Sequence, residues 1–322
     1  MFAVYAESFS ADNPLDGLVL GERPEPEAPD GWTTVTVKAA SLNHHDMWSL
    51  RGVGLKQEQL PMILGCDAAG LDDDGNEVVV HAVISDPSWT GDETLDPRRS
   101  LLSERHQGTL AEQVVVPRRN VVPKPASLSF AEAACLPTAW LTAYRMLFTR
   151  GGLKAGDTVL VQGAGGGVAT ACIMLGRAAG LKVLATSRDE AKRARAVEIG
   201  AHEAFESGAR LPVKVDAVME TVGRATWSHS VRSLRPGGTI VTSGTTSGPQ
   251  LDDAELTRIF FLQLSVVGST MGTRDELASL VTMLDATGTR PLIDREVPLT
   301  EARDGFAAMA GGDVFGKIVF TA

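Results

Sequence analysis

Cysteine is nearly absent: three residues in 322 exclude a disulfide framework and a structural zinc held by four thiolates. Positive charge is also in deficit. Lys and Arg total 30 against 40 Asp and Glu, a formal net charge of −10 with a pI near 5.1. That is the wrong sign for a protein whose main partner is nucleic acid or an anionic membrane. No hydrophobic run is long enough to span a bilayer, since the longest apolar region, 133–148, is cut by Pro137 and Arg145. The opening Met-Phe-Ala-Val-Tyr-Ala-Glu has neither the basic start nor the apolar stretch of a secretion signal, so a cytoplasmic location is expected. What remains is globular, with 43% apolar and 22% charged residues. At about 150 residues per domain, the length suggests two domains.

The first 120 or so positions read as short strands and turns. Residues 33–39 alternate as Thr-Thr-Val-Thr-Val-Lys-Ala, and 78–80 and 114–116 are β-branched runs. Pro24, Pro26 and Pro29 exclude a central strand nearby. A long polar loop is expected over 85–107, and loops of that length inside a domain are usually functional or mobile. After Pro123 and Pro125 the texture changes. One helix is expected over 131–149, then strands at 158–162, 182–186, 215–219, 239–243 and 264–267. Helices at 190–198, 226–234 and 252–261 separate them, and a helix at 275–284 and a strand at 317–321 close the chain. Strands alternating with helices predict an α/β fold, a doubly wound parallel sheet of the Rossmann type.

Between the strand at 158–162 and a helical pattern at Val168, Ala171, Cys172 and Leu175 lies Ala164-Gly165-Gly166-Gly167-Val168. Glycine there lets backbone approach a pyrophosphate, and the following helix N-terminus offers N–H groups to it. The pattern is degenerate, with Ala164 and Ala169 at the outer glycine positions. The end of the next strand should carry a carboxylate if the ribose hydroxyls of NAD are to be held. It carries Ser187-Arg188, with Lys192 one turn beyond. A hydroxyl and two cations suit a 2′-phosphate, so NADPH is favoured over NADH. A solvated helix face of Arg188, Lys192 and Arg193 is the plainer alternative.

Several ordered segments carry a family likeness: Ser41-Leu42-Asn43-His44-His45-Asp46, Leu64-Gly65-Cys66-Asp67-Ala68-Ala69-Gly70, Gly108-Thr109-Leu110-Ala111-Glu112, Leu136-Pro137-Thr138-Ala139-Trp140, the glycine run, Leu234-Arg235-Pro236-Gly237-Gly238 and Phe315-Gly316-Lys317-Ile318-Val319. Over nearly its whole length the chain resembles the medium-chain dehydrogenase/reductase superfamily. It looks most like the zinc-independent branch with the quinone oxidoreductases. The resemblance implies a mostly β GroES-like catalytic domain from 1–125, a Rossmann NADP-binding domain over 126–267, and a return to the catalytic domain over 268–322. It implies an active site in the cleft between them and a homodimer paired through the strand near 264–268. By position within it, Thr142, Val222, Ser243, Gly244 and Lys317 join the cofactor-binding candidates.

The departures bear on mechanism. Zinc-dependent relatives hold their metal through Cys, His and Cys or Asp, with a Glu beside the His; the corresponding positions here are Asn43, Cys66 and Thr138, with Asp67 next to Cys66. A thiol, an amide and a hydroxyl make a poor zinc site, so no metal is expected. His44 and His45, read as neighbours on an extended segment, would point to opposite sides and not share an ion. Cys66 is expected to be buried near the pocket, and Cys135 and Cys172 to lie in the core.

Without zinc, hydrogen-bond donors must stabilise the negative charge built on a reduced carbonyl or quinone oxygen. The catalytic candidates are Asn43, His44, His45, Asp46 and Thr138, with a protonated His as donor. Trp48, Trp89, Phe260 and Phe261 lie in loops expected to face a flat or apolar acceptor. The function expected is NADPH-dependent reduction of a quinone or α,β-unsaturated carbonyl. The alternatives are an alcohol or ketone dehydrogenase, or a cofactor-binding redox-responsive protein with little catalysis.

Overall fold

Alternating sequences such as Trp-Thr-Thr-Val-Thr-Val put every second side chain on one face, and one such face must find a core. In the computed structural model, which describes residues 1–322, these runs pair into antiparallel sheets. The chain forms two units, 1–141 with 271–322, and 142–270. The expected divisions stood at 125/126 and 267/268.

The first unit holds strands β1 (Phe2–Ala6), β2 (Leu18–Glu22), β3 (Trp32–Ser41), β4 (Met62–Ile63), β5 (Asp67–Leu71), β6 (Glu77–Val80), β7 (Val83–Ile84), β8 (Ser100–Leu101), β9 (Gln113–Pro117) and β10 (Val121–Pro123). Helix α1 (His44–Leu50) follows β3, and α2 (Phe130–Ala134) follows β10. Val35, Val37, Leu64, Val80, Phe306 and Phe320 are among the residues of its core. His44 and His45 are therefore helical, which corrects the extended reading. The cause is local: the Asp46 carboxylate accepts from the Asn43 N–H at 2.9 Å and starts the helix.

The single helix expected over 131–149 is broken. After α2 come a π-helical turn at Leu136–Trp140, α3 (Leu141–Tyr144) and a second π-helical turn at Arg145–Arg150. Pro137 has no N–H to give and its ring crowds the preceding turn, so the helical ladder is reset there.

The second unit is the doubly wound α/β sheet. Its strands are β11 (Thr158–Val161), β12 (Lys182–Thr186), β13 (Glu203–Phe205), β14 (Val215–Glu220), β15 (Leu234–Thr242) and β16 (Ser265–Gly268). Helices α4 (Gly167–Ala178), α5 (Glu190–Glu198), α6 (Trp227–Ser233) and α7 (Leu256–Phe261) connect them. All pairings are parallel, in the order β13-β12-β11-β14-β15-β16. Strands covered on both faces read as unbroken apolar runs, and Leu160, Leu184, Val218 and Ile240 pack together accordingly. The chain moves outward from β11 and then reverses to β14. Ligands of such sheets bind at the carboxyl ends of the strands beside that reversal.

The tail completes the first unit with α8 (Arg274–Thr287), β17 (Ile293–Pro298), α9 (Ala302–Gly311) and β18 (Lys317–Thr321). Strand β18 lies antiparallel to β3, with Val319 opposite Ser41. No helix is long and apolar enough to cross a membrane.

Candidate functional site

In the second unit the candidate residues gather at four adjacent strand ends. Beyond β11 the backbone turns through Gly163 (φ +74°) and Gly165 (φ +132°), a left-handed region that side chains other than glycine rarely enter. A Cβ at Gly163 would meet Val222 Cγ2 at 2.8 Å, so that glycine also lets the β14 end approach. A Cβ at Gly166 would meet nothing within 4 Å. Gly166 caps α4 without a side chain, leaving the first-turn N–H groups of a twelve-residue helix uncapped by protein side chains. The Ala164 N–H donates to Thr186 O at 2.7 Å and ties the turn to β12. A glycine turn leading into a helix N-terminus without side-chain caps fits a dinucleotide pyrophosphate.

Past β12, Ser187 is buried and Arg188 exposed, while Lys192 is half-buried one turn into α5. Asp189 caps α5 by accepting from the Lys192 N–H at 3.0 Å. Arg193, read from sequence as part of a solvated face, has another role. Its Nη1 donates to Ser187 O at 2.9 Å and Arg188 O at 3.2 Å, fixing the strand end from beneath.

Glu220, which sequence reasoning passed over, organises the next strand end. Its buried carboxylate accepts from Val222 N at 2.8 Å, Gly223 N at 3.0 Å and Ser230 Oγ at 2.6 Å. Ser230 Oγ accepts in turn from Gln162 Nε2, and Gln162 Oε1 accepts from Thr186 Oγ1. One buried polar chain thus cross-links the ends of β11, β12 and β14. Ser243, with Gly244 after it, ends β15, and its N–H donates to Glu220 O at 3.1 Å. Thr142 is buried in α3.

In the first unit, three candidates are committed to internal bonds. Lys317 was expected at the cofactor phosphates; instead its buried ammonium donates to Leu42 O at 2.9 Å, Asn43 Oδ1 at 2.7 Å and Asp67 Oδ2 at 3.2 Å. Three N–H groups meet three acceptors, because β18 pairs with β3 and carries the side chain underneath residues 41–43. Asn43 Nδ2 donates to Asp67 Oδ2 at 2.8 Å and faces Ser41 O at 3.4 Å, so its amide is held at both ends. Asp46 likewise holds Asn43 N with one oxygen and Gly65 N, at 2.9 Å, with the other. Burial raises its carboxyl above the usual range, with partial relief from His45 and those N–H bonds.

The two histidines stand apart from each other. His44 has part of its surface open, and its imidazole is pushed below the ordinary 6.5 by desolvation, then by the Lys317 and Arg51 cations. His45 packs inward, with Nε2 3.1 Å from Glu104 Oε1 and Nδ1 3.5 Å from Cys66 Sγ. Its affinity for a proton is raised well above ordinary by attraction to Cys66, against burial, with Glu104 and Asp46 adding to it. The two adjacent imidazoles are thus shifted in opposite directions. Cys66 is buried as expected, and burial pushes its thiol up. Cys135 and Cys172 are also buried, the former with its thiol pushed up to about 12. The Thr138 hydroxyl is buried in the first π-helical turn without a protein partner.

A catalytic zinc does not fit this donor set. No three His, Cys, Asp or Glu side chains converge on a point. The Cys66 thiol donates to Leu102 O at 3.3 Å, Asn43 offers an amide already held at both ends, and Asp67 has the Lys317 ammonium as its cation. Zinc requires several free thiolate, imidazole or carboxylate ligands in tetrahedral array.

Of the aromatics expected near an acceptor, Trp48 is partly exposed on α1 and Trp89 donates its Nε1 to Asp92 O. Phe260 and Phe261 project from α7 into solvent, 69% and 76% exposed.

Comparison with known proteins matches residues 29–126 to the family described as "Alcohol dehydrogenase GroES-like domain" and residues 167–286 to "Zinc-binding dehydrogenase". An acryloyl-coenzyme A reductase of Sulfurisphaera tokodaii is 26% identical over 326 residues, covering 95% of this chain and 97% of its own. The quinone oxidoreductase of Homo sapiens is 26% identical over 313 residues, covering 91% and 90%. A crystal structure of an NAD-dependent alcohol dehydrogenase superposes with a TM-score of 0.92 at 32% identity, covering 100% of both chains.

Proposed function

The chain belongs to the medium-chain dehydrogenase/reductase superfamily and is an oxidoreductase, and on that premise we propose that it uses NADPH to reduce a quinone or an alkene conjugated with a carbonyl, without zinc. The observation that carries the reading is the donor set of the first unit, an amide held at both ends, a buried thiol and a carboxylate paired with Lys317, which suits no metal. A metal would polarise the acceptor oxygen as a Lewis acid. An imidazolium and a hydroxyl do comparable work by hydrogen bonding.

The nicotinamide cofactor supplies hydride when bound. Gly165, Gly166, Gly167 and the first turn of α4 suit its pyrophosphate, and Val222, Ser243 and Gly244 lie at the neighbouring strand ends. Ser187, Arg188 and Lys192 suit a 2′-phosphate, with no carboxylate at the strand end to repel it. That supports NADPH, although the similar alcohol dehydrogenase is described as NAD-dependent. His44 or His45 is the candidate proton donor to the reduced acceptor, with the unpartnered Thr138 hydroxyl as a second candidate group. Asn43, Asp46 and Lys317 hold the histidine-bearing helix in place. The relatives described as acryloyl-coenzyme A and quinone reductases lend weight to an activated double bond or quinone over a simple alcohol.

We read the protein as a cytoplasmic homodimer. Strand β16 is the outer edge of the parallel sheet, and beside it α7 exposes Leu256, Phe260 and Phe261. A second copy paired edge to edge along β16 would satisfy that edge and cover the apolar side chains.

The deciding experiment is NADPH oxidation by chelator-treated protein with a naphthoquinone, an enone and a simple aldehyde in parallel. Turnover with either of the first two, undiminished by chelator, is expected. Activity with the aldehyde alone, lost on chelation and restored by zinc, would instead indicate an alcohol dehydrogenase. Tight NADPH binding without turnover would indicate a cofactor-responsive binding protein.

A further inference from the structure

Glu220 ends β14 fully buried, and the groups that donate to its carboxylate are all neutral. Oε1 accepts from the N–H groups of Val222 at 2.8 Å and Gly223 at 3.0 Å. Thr226 Oγ1 lies 2.9 Å from both oxygens, and Ser230 Oγ donates to Oε2 at 2.6 Å. Ser230 is itself held by Gln162 Nε2 at 2.9 Å. The cations nearby in sequence, Arg224, Arg232 and Arg235, pair instead with Asp252, Glu255 and Asp216.

Buried charges are ordinarily paired with a counter-charge, because desolvation is costly. Hydrogen bonding alone does not call for a charge at this position. A glutamine oxygen would take the same two backbone N–H groups, and the hydroxyls of Thr226 and Ser230 can turn to accept from its amide. What the carboxylate adds is a fixed negative charge, and its place in the sheet is specific. Strands β12 and β13 lie on one side of β11, and β14, β15 and β16 on the other. A dinucleotide lies across the crevice at that reversal, one nucleotide to each half. With the 2′-phosphate candidates Ser187, Arg188 and Lys192 past β12, the nicotinamide half belongs to the ends of β14 and β15. Glu220 supports both ends: its carboxylate holds Val222 and Gly223, and its carbonyl accepts from Ser243 N at 3.1 Å. Val222 O in turn accepts from Ser247 N at 2.8 Å and Ser247 Oγ at 2.7 Å, which locks the two turns together.

We propose that Glu220 tunes the bound nicotinamide couple, its negative charge favouring the oxidised, cationic ring over the reduced, neutral one and so strengthening the reduced cofactor as a hydride donor. Glu220 has this role only if the second unit holds a nicotinamide dinucleotide, as proposed above. Hydride leaves a neutral dihydropyridine with both electrons of its C–H bond. The ring is left a pyridinium with one positive charge, and the acceptor gains the hydrogen and the electron pair. A carboxylate held by fixed dipoles away from water acts on that difference without solvent reorganisation. The pyrophosphate and the 2′-phosphate carry the same charge in both redox forms, so their interaction with Glu220 cancels when the two forms are compared.

The test is the Kd of NADP⁺ against that of NADPH, by calorimetric titration of the full chain, or of NAD⁺ against NADH if those bind more tightly. Glu220→Gln keeps the volume and an oxygen for the two N–H groups, and removes the charge. It should weaken the oxidised form about fivefold more than the reduced form, the scale of one unit charge acting through partly solvated protein. At about 30 mV per tenfold for a two-electron couple, that raises the bound midpoint potential by about 20 mV. Ser230→Ala keeps the charge and loses one donor, so its ratio should match wild type. A titration of the wild type alone covers a Glu220→Gln chain that does not fold: an NADP⁺ analogue with a neutral benzamide ring in place of the pyridinium should bind several-fold more weakly than NADP⁺. Equal losses of both redox forms in Glu220→Gln, a Ser230→Ala ratio that moves as far, or equal binding of the cationic and neutral rings overturns the proposal. A wild type that binds none of these dinucleotides overturns the cofactor placement along with it. A ratio that depends on Glu220 in a protein that reduces no acceptor upholds the tuning and faults the reductase reading alone.

Discussion

Lys317 Nζ lies 2.7 Å from Asn43 Oδ1, a buried cation fixed on the amide that begins the histidine-bearing helix. The same ammonium contacts Asp67 Oδ2, which also accepts from Ser41 Oγ at 2.8 Å and from Asn43 Nδ2. The pair thus fixes which way the Asn43 amide faces: oxygen to the cation, nitrogen to the carboxylate. Through Asn43 N and Asp46, the first turn of α1 inherits that order.

Removing the cation should be costly because the carboxylate stays behind. Asp67 is fully buried, and its Oδ1 has no partner even in the intact protein. Lys317→Met keeps the volume and removes the charge. An expected loss of about 3–5 kcal/mol follows from breaking a buried pair on one side. Adding Asp67→Asn should recover part of it. Urea unfolding of the single and double variants checks this, and an additive double variant would contradict the coupling.

The histidines should mark the pH dependence of stability from opposite sides. His44 has its folded pKa lowered, so below about 6.5 the unfolded chain takes a proton that the folded protein refuses. Stability then falls as pH drops from 6.5 toward the folded value. His45 has its folded pKa raised, so its contribution is complete below 6.5 and is lost as pH rises through the folded value. Thermal melts from pH 5 to 9 should show His44→Gln flattening the acid side and His45→Gln flattening the alkaline side. Parallel curves for both variants would contradict the two environments.

Legibility in the sequence followed locality. The strands at 182–186 and 317–321 and the helix at 190–198 match to the residue, because apolar runs and an Asp189 cap mark their ends within a few positions. The glycine run was readable for the same reason. Helix α1 was not, since its cap is made by Asp46 three residues on, inside a stretch with no apolar period. Lys317 was misplaced because its environment is set by β18 pairing with β3, some 275 residues away in the chain. Glu104 left no local signal: it reaches His45 only through a strained turn in a polar loop. Glu220 and Arg193 read as ordinary charges until the strand ends were in place.

At the nucleotide loop, packing and cofactor choice should separate. Gly163→Ala meets Val222 at 2.8 Å and forces a side chain into φ +74°. The left-handed strain alone is about 1–2 kcal/mol, so Val222→Ala should relieve the clash but not the whole loss. Arg188→Ala should reduce the preference for NADPH over NADH while leaving stability unchanged, as expected of an exposed cation. Arg193→Ala should weaken both cofactors, because it frees the backbone of residues 187 and 188. Fluorescence titration with NADPH and NADH checks both. Equal losses for the two cofactors in Arg188→Ala would remove the 2′-phosphate assignment.

The edge of the parallel sheet supplies the last prediction. Val266 on β16 is 46% exposed, and Phe261 on α7 is 76% exposed, a costly arrangement for an isolated chain. An open edge strand offers unpaired N–H and C=O groups to any partner, and a lysine on it is a common means of preventing that. If two copies pair along β16, Val266→Lys places two ammonium groups near the symmetry axis in a low-dielectric interface. Light scattering should then report a dimer for the wild type and a monomer for Val266→Lys. Phe261→Asp should weaken the dimer without altering NADPH binding, since it touches none of the strand ends at which the cofactor is placed. A wild type that is monomeric at tens of micromolar, or a Val266→Lys variant that remains dimeric, would move the contact to another face. In either case the exposed phenylalanines of α7 would need a different partner.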